Sequence, residues 1–262
     1  MKSVVVGSGG REHALAHVLG RDSDVTVTPG NPGIPNSTTQ SPLNIDADLF
    51  VIGPEAPLVD GLADQLRAQG KTVFGPGVDG AQLEGSKAWM KDLLVEANVP
   101  TAKHGTFTNE DEAIAFLSDM PLPYVIKTDG LAAGKGVIVT ESVNEAKDAI
   151  KNYLSGDAFG DAGKTVVIEE GLIGNEISIL AICDGTKAVP LAPAQDYKRL
   201  LNNDEGPNTG GMGAYSPIPS VSEDFVTQIM EEAVQPTLQT LITRGIDYRG
   251  VLYAAVSYTH LT

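Results

Sequence analysis

The stretch TDGLAAGKGVIV, Thr128–Val139, decides how this chain is read. It sets Lys135 in a glycine-dense loop, a common way to hold phosphate. A Walker A loop needs GxxxxGK followed by Ser or Thr, between a strand and a helix. Here Gly136 follows Lys135, Asp129 stands where the first glycine belongs, and the apolar run after the loop reads as a strand. Phosphates held by such a loop do not rest on a helix N-terminus. The alternative is a hairpin that closes over them from above.

Working outward, YVIKT precedes the loop and GVIVT follows it, both as strands. SVNEAKDAIKNYL reads as a helix, with Ser142 as N-cap and Glu145 three residues on, a capping box. KTVVIEE, EISILAICD and KAVPLAP are three further strands, so about 120–190 reads as a small α/β unit. Lys127 ends the strand before the hairpin, and VIEEGLIGNEIS carries Glu169, Glu170 and Glu176. A nucleotide between two sheets needs cations on its phosphates, hinge backbone groups for the adenine edge, and a carboxylate for the ribose hydroxyls. Taken singly, these residues read equally well as solvated surface charges. Taken in order, a strand lysine, a Gly-Lys hairpin, a hinge and a glutamate meet each need.

Upstream, SVVVGSG, DVTVTPG, DLFVIGPE and KTVFGP read as strands that alternate with the helices REHALAHVLG and PLVDGLADQLRAQG. That alternation implies right-handed crossovers and a parallel sheet, with functional loops at the carboxyl ends of its strands. The Gly/Pro-rich pieces GSGG, TPGNPG, GPEAP and GPG fall at those ends. GSGGRE, Gly7–Glu12, resembles a dinucleotide fingerprint, but Glu12 puts a carboxylate where a bare backbone must approach pyrophosphate. The loop and helix N-terminus remain suited to one phosphate monoester. His13 and His17 lie one helical turn apart with no further ligand in the pattern, which argues against a zinc site.

GSKAWMKDLLVEANVP and NEDEAIAFLSDM read as helices ended by Pro100 and by Pro121 with Pro123. QDYKRLLNNDEGPNTGGMGAYSPIPS reads as a long functional loop over 195–220. SEDFVTQIMEEAVQPTLQTLITRG reads as a helix kinked at Pro236, and YRGVLYAAV as a strand. Internal repeats are absent.

The chain has 262 residues and a formal net charge of −16, which argues against nucleic acid or an anionic membrane as partner. It has no apolar run long enough to span a bilayer and no secretory leader, so a cytoplasmic location is expected. One cysteine, Cys183, excludes an intrachain disulfide; its apolar setting marks a buried strand residue.

The order of motifs is that of the ATP-grasp superfamily. The chain resembles the phosphoribosylamine–glycine ligases, or glycinamide ribonucleotide synthetases, through GSGGREHALA, TPGNPG, VIGPEAPLVDGLAD, GSKAWMKDLL, VIKTDGLAAGKGVIV, VIEEGLIGNEIS and above all GPNTGGMGAYSP. The glycine hairpin is general to ATP-grasp proteins; the last motif is specific to this family among them. The resemblance covers nearly the whole chain. It implies an α/β protein: an N-terminal open parallel-sheet, Rossmann-like domain over about 1–100, then an ATP-grasp region over 101–262. Within that region it implies a lid near 120–190 and a central part over 191–262, with the ATP-grasp fold incomplete.

The resemblance further implies that Lys87 and Lys127 touch nucleotide phosphates and that Gly134, Lys135 and Gly136 form the lid. It implies that Glu170 and Leu172 offer hinge groups to adenine, that Glu169 also contacts the nucleotide, that Glu176 takes the ribose, and that Asp196 and Lys198 serve the terminal phosphate. The family usually has His where this chain has Tyr197. Gly9, Gly10, Arg11, Glu12, Asn31, Pro54 and Glu55, with Asn208, Thr209, Gly210, Gly211, Met212 and Gly213, would contact substrate. The implied reaction is ATP-dependent ligation of glycine to 5-phosphoribosylamine through glycyl phosphate, in de novo purine biosynthesis, by a monomer using Mg²⁺ or Mn²⁺. The family continues past GVLYA to the Glu and Asn that hold the metal, and VSYTHLT after Ala255 does not resemble it. The chain is thus expected to be truncated, with its metal ligands beyond the end and little turnover of its own. Another ATP-grasp carboxylate ligase and a non-catalytic ATP-binding module remain as alternatives.

Overall fold

A computed structural model describes residues 1–130, 136–156, 164–203 and 205–257, with Asn208 described by its backbone. They form two compact units. The first comprises Met1–Gln82, Cys183–Thr186 and Leu241–Val251; the second comprises Leu83–Ile182, Lys187–Thr240 and Leu252–Thr262.

In the first unit β1 (Lys2–Gly7), α1 (Gly10–Leu19), β2 (Asp24–Pro29), β3 (Leu49–Ile52), α2 (Glu55–Val59), α3 (Leu62–Ala68) and β4 (Thr72–Phe74) build an α/β layer structure. The sheet order is β2-β1-β3-β4, and every pairing is parallel. Successive β1 side chains serve opposite faces. Val5 joins Val25, Val27 and Ile34 under Leu15, Ala16 and Leu19, whereas Val4 and Val6 join Phe50, Ile52, Ala63, Leu66 and Val73. Burial on both faces is why the strand reads as an unbroken apolar run. The helix expected over PLVDGLADQLRAQG is two helices, because Gly61 takes φ 80°, a left-handed conformation that ends α2.

After α4 (Val78–Gly85), the second unit takes over with α5 (Lys87–Glu96), β5 (His104–Phe107), α6 (Glu110–Phe116), β6 (Tyr124–Thr128), β7 (Val137–Thr140), α7 (Val143–Leu154) and β8 (Val166–Glu170). Its four-stranded sheet has the order β5-β8-β6-β7, all antiparallel. Tyr124, Ile126, Val166 and Ile168 pack with Ala146, Ala149, Ile150 and Tyr153 of α7 and with Ala113 of α6. Val125, Lys127, Val167 and Glu169 alternate with these residues and face the other way. β5 was not expected from the sequence; HGTF is short and mostly half-exposed.

The capping box at α7 is only half formed. Ser142 Oγ accepts from the Glu145 N–H at 3.3 Å, but the Glu145 carboxylate accepts from Thr140 Oγ1, which itself accepts from the Ser142 N–H at 3.0 Å. Thr140 relays the contact that the sequence pattern gives directly to Glu145.

β9 (Glu176–Asp184) and β10 (Ala188–Pro190), grouped by the sequence with the 120–190 unit, instead form a sheet in the order β10-β9-β13 with β13 (Arg249–Ser257). The expected long loop is an antiparallel hairpin of β11 (Gln195–Leu201) and β12 (Glu205–Tyr215). Its glycines hide the strand pattern, and Gly206, Gly211 and Gly213 adopt positive φ inside it. α8 (Glu223–Ile229) is followed by a π-helical turn, Met230–Val234, and by α9 (Gln235–Thr243). The π turn ends two residues before Pro236, whose missing N–H breaks the α-helical ladder. Among the described residues, no helix is long and apolar enough to cross a membrane.

Candidate functional site

Three lysines gather around the outward face of β6 and β8. Ser86 caps α5 through the Trp89 N–H at 3.1 Å, and Lys87 and Lys91 then fall one turn apart on one helix face. Lys127 and Glu169 are diagonal neighbours across β6 and β8, since Lys127 pairs with Val167. Lys127 Nζ lies 2.9 Å and Lys91 Nζ 3.2 Å from the same oxygen, Glu169 Oε2. Lys87 Nζ donates to the Gly130 carbonyl at 2.7 Å. Asp129 Oδ2 accepts from Ser86 Oγ at 3.0 Å, and its Oδ1 accepts from the Ala88 N–H at 3.2 Å, at the positive end of α5.

The electrostatics follow from burial. Lys87 and Lys91 are held below the usual lysine value, first by desolvation and then by the neighbouring Lys127, against the pull of nearby carboxylates. Burial works to raise the Glu169 pKa, but Lys127 and Lys91 outweigh it and hold the carboxylate below its ordinary value. Glu169 Oε1 is buried without a hydrogen-bond partner. Lys87, Lys91 and Lys127 converge on this one face, among Asp129, Glu169, Glu84 and Glu170, and three ammonium groups so placed offer a polyanion charge-assisted hydrogen bonds.

Beyond Glu169 come Glu170 and Leu172, the residues expected to edge an adenine. The Glu170 N–H donates to the Lys103 carbonyl at 3.0 Å, and Glu170 Oε1 accepts from the Lys103 N–H at 2.7 Å. The Gly171 N–H donates to the Pro123 carbonyl at 2.7 Å. Leu172 is exposed. Glu176 opens β9 and accepts from Lys198 Nζ at 2.7 Å, while Asp196 Oδ2 lies 3.6 Å from the same ammonium. Burial opposes the Lys198 charge, but its hydrogen bond to Glu176 prevails and raises its pKa. Tyr197 stacks on Tyr215 across the hairpin at 6.2 Å.

The motif GPNTGGMGAY lies on β12. Between the pairs Tyr197–Gly213 and Arg199–Asn208, β12 carries more residues than β11, so Thr209–Met212 bulge out of the ladder. Thr209 Oγ1 pins the bulge by donating to the Lys198 carbonyl at 2.8 Å and accepting from the Gly211 N–H at 3.1 Å.

In the first unit Glu12 is 3% exposed, and both its oxygens are engaged, by the Gly9 N–H at 2.7 Å and by Arg11 Nε at 3.0 Å. Arg11 also donates to Glu55 Oε1 at 2.9 Å, and Asn31 Nδ2 to the Ser8 carbonyl at 2.7 Å. Gly9, Gly10, Arg11, Asn31 and Glu55 thus lie at one end of the parallel sheet, with Pro54 as the residue before α2. Gly134 and Lys135 lie outside the described residues; Gly136 is buried, and its carbonyl accepts from the Thr128 N–H at 2.8 Å.

The sequence reading missed Lys91, Asp129 and Lys103. A lysine four residues after Lys87 in SKAWMK was a signal for the first. The other two act through a partner from a different element, Ser86 and Glu170, and no local pattern marks them. Among the described residues, no group of three or more His, Cys, Asp or Glu is placed to hold a metal ion.

A parallel-sheet unit followed by an antiparallel sheet with a lysine-lined face defines an ATP-grasp protein. At the level of fold, the chain is similar to biotin carboxylase from Campylobacter jejuni, solved as a β,γ-ATP complex, with TM-score 0.70 and 16% identity over 98% of this chain and 63% of that one. Residues 1–84 match the phosphoribosylglycinamide synthetase N domain, and residues 85–260 match the phosphoribosylglycinamide synthetase ATP-grasp (A) domain. The chain belongs to the phosphoribosylglycinamide synthetase family. The match runs past Ala255, where the sequence reading expects the likeness to end.

The phosphoribosylamine–glycine ligase of Xanthomonas campestris pv. campestris is 47% identical over 98% of this chain and 64% of its own length. The crystal structure of the Thermotoga maritima phosphoribosylamine–glycine ligase aligns with TM-score 0.85 and 33% identity, over 98% of this chain and 65% of that one. The chain therefore spans about 64% of the length of such relatives.

Proposed function

We propose that the chain serves ATP-dependent ligation of glycine to 5-phosphoribosylamine, giving glycinamide ribonucleotide, ADP and phosphate, as a cytoplasmic monomer. The relatives' names state the joining of phosphoribosylamine and glycine. The observation that supports the nucleotide half is the convergence of Lys87, Lys91 and Lys127 on one face of the antiparallel sheet, around Glu169 and Asp129.

Glycine's carboxylate is a poor electrophile, because its charge repels an amine. Transfer of the ATP γ-phosphoryl group to a carboxylate oxygen gives glycyl phosphate and ADP. The amine of phosphoribosylamine then attacks the acyl carbon, the C–N bond forms, and phosphate leaves with the former carboxylate oxygen. Lys87 and Lys127 offset phosphate charge as it gathers. Glu170 and Leu172 edge the adenine, Glu176 takes the ribose, and Lys198 with Asp196 serves the terminal phosphate. Gly134, Lys135 and Gly136 cover the phosphates and exclude water from the acyl phosphate.

We assign substrate contacts to Gly9, Gly10, Arg11, Asn31, Pro54 and Glu55, and separately to Asn208, Thr209 and the bulged Gly210, Gly211 and Met212, ending at Gly213. Glu12 acts through the loop it holds, because its oxygens are committed. Functionally we group an N-terminal substrate region, through about residue 100, and a nucleotide region after it with a lid and a central part. α5 is the exception: it lies before residue 100 yet serves the nucleotide region, since Lys87 bonds the Gly130 carbonyl. A divalent metal, Mg²⁺ or Mn²⁺, belongs to the proposed chemistry, and the described residues do not assemble a ligand set for it.

Calorimetric titration of the 262-residue chain with ATP tests the reading. Binding is expected, with Lys127→Met at least about tenfold weaker, or 1.4 kcal/mol. A folded parent chain with no affinity for ATP overturns it.

A further inference from the structure

Glu169 is 5% exposed, yet both lysines that reach it converge on one oxygen and leave Oε1 without a partner. The two lysines differ in access. The Lys127 side chain is 25% exposed, whereas that of Lys91 is 5% exposed and donates a further bond to Thr101 Oγ1 at 2.7 Å. Lys91 therefore stands behind Glu169, anchored at a second point, and Lys127 stands in front.

We propose that Lys91 is a positioning residue that keeps Glu169 neutralised, so that Lys127 is free to turn from the carboxylate to the phosphates of a nucleoside triphosphate. This rests on the nucleotide reading above. A buried carboxylate facing a single ammonium holds it, because the departure of that ammonium strands an unpaired charge in a poorly solvated place. Two ammonium groups on one oxygen remove this constraint. When Lys127 leaves, the Lys91–Glu169 pair remains balanced, and Thr101 keeps Lys91 from following.

Three variants of the 262-residue chain test this, with ATP titration as the probe and circular dichroism as the control for folding. Lys91→Met leaves Glu169 to hold Lys127 alone, and ATP affinity is expected to fall about tenfold. Adding Glu169→Gln removes the carboxylate that traps Lys127, so the double variant is expected to bind ATP at least about fivefold more tightly than Lys91→Met. Lys91→Arg keeps the charge and is expected to stay within about threefold of the parent. A folded Lys91→Met chain that binds ATP like the parent overturns the proposal, because Lys91 is then only structural. A double variant no tighter than Lys91→Met also overturns it, because Lys91 then contacts phosphate itself. If Lys91→Met does not fold, Lys91→Arg decides, and a tenfold loss there overturns the proposal. A parent chain that binds no ATP removes the nucleotide reading instead, which separates the two failures.

Discussion

Lys198 Nζ donates to Glu176 Oε1 across 2.7 Å, joining the hairpin strand β11 to the start of β9. In the function proposed above these residues serve opposite ends of ATP, the ribose and the terminal phosphate, and on that proposal nucleotide binding separates them. Both side chains are more than two-fifths exposed, so the pair is weak enough to exchange partners and sensitive to salt. Glu176→Gln is expected to lower the Lys198 pKa, which the hydrogen bond to Glu176 now raises against burial. Titration of the Lys198 side chain by NMR measures it. An unchanged pKa means that the pair does not persist in solution.

Gly53 sits where an added Cβ would lie 2.0 Å from Glu12 Oε1. Glu12 cannot yield without releasing the Gly9 N–H and Arg11. Gly53→Ala is therefore expected to destabilise the chain by about 1–3 kcal/mol, as overpacking does. Gly10→Ala, where a Cβ meets nothing within 4 Å, is expected to change stability far less. Chemical denaturation compares the two, and equal losses would count against the carboxylate as the obstacle.

Asp129 reaches both Ser86 Oγ and the Ala88 N–H at the start of α5. Asp129→Asn keeps the shape but loses the charge at the helix N-terminus, at a cost of about 0.3–1 kcal/mol. Because α5 also carries Lys87, ATP affinity should weaken along with stability. Thermal melting and ATP titration together check this, and a loss of stability with unchanged affinity would detach α5 from the nucleotide.

The pH dependence of Glu169 has a definite sign. Its folded pKa lies below the ordinary 4.5, so its contribution is complete above about pH 4.5 and is lost as pH falls through the lower folded value. Protonated Glu169 is nearly isosteric with glutamine. The stability difference between the parent chain and Glu169→Gln should therefore shrink on acidification below about pH 4.5, in denaturation curves taken across that range. A difference independent of pH would show that the charge does not act.

Much of this was legible in the sequence because it is local. The alternation of SVVVG, DVTVT and DLFVI with helical stretches gives the parallel sheet, and SVVVG and DLFVI are nearly unbroken apolar runs because they are buried on both faces. Lys127 and Glu169 stood out in the sequence by their order around the Gly-Lys loop, and the strand register places both on one face of the sheet. The hairpin was hidden because GPNTGGMG lacks alternation; cross-strand pairing, not propensity, makes it a strand.

By itself, then, the sequence determined the fold class and the order of cations and carboxylates along the chain, which follow from short-range pattern, and the family, which the resemblance of its motifs carries. Only the tertiary structure decided which of those charges meet. It set Lys91 behind Glu169, Lys198 on Glu176, and Asp129 at the start of α5. Side-chain partners from different elements depend on packing and register, which no local stretch of sequence carries.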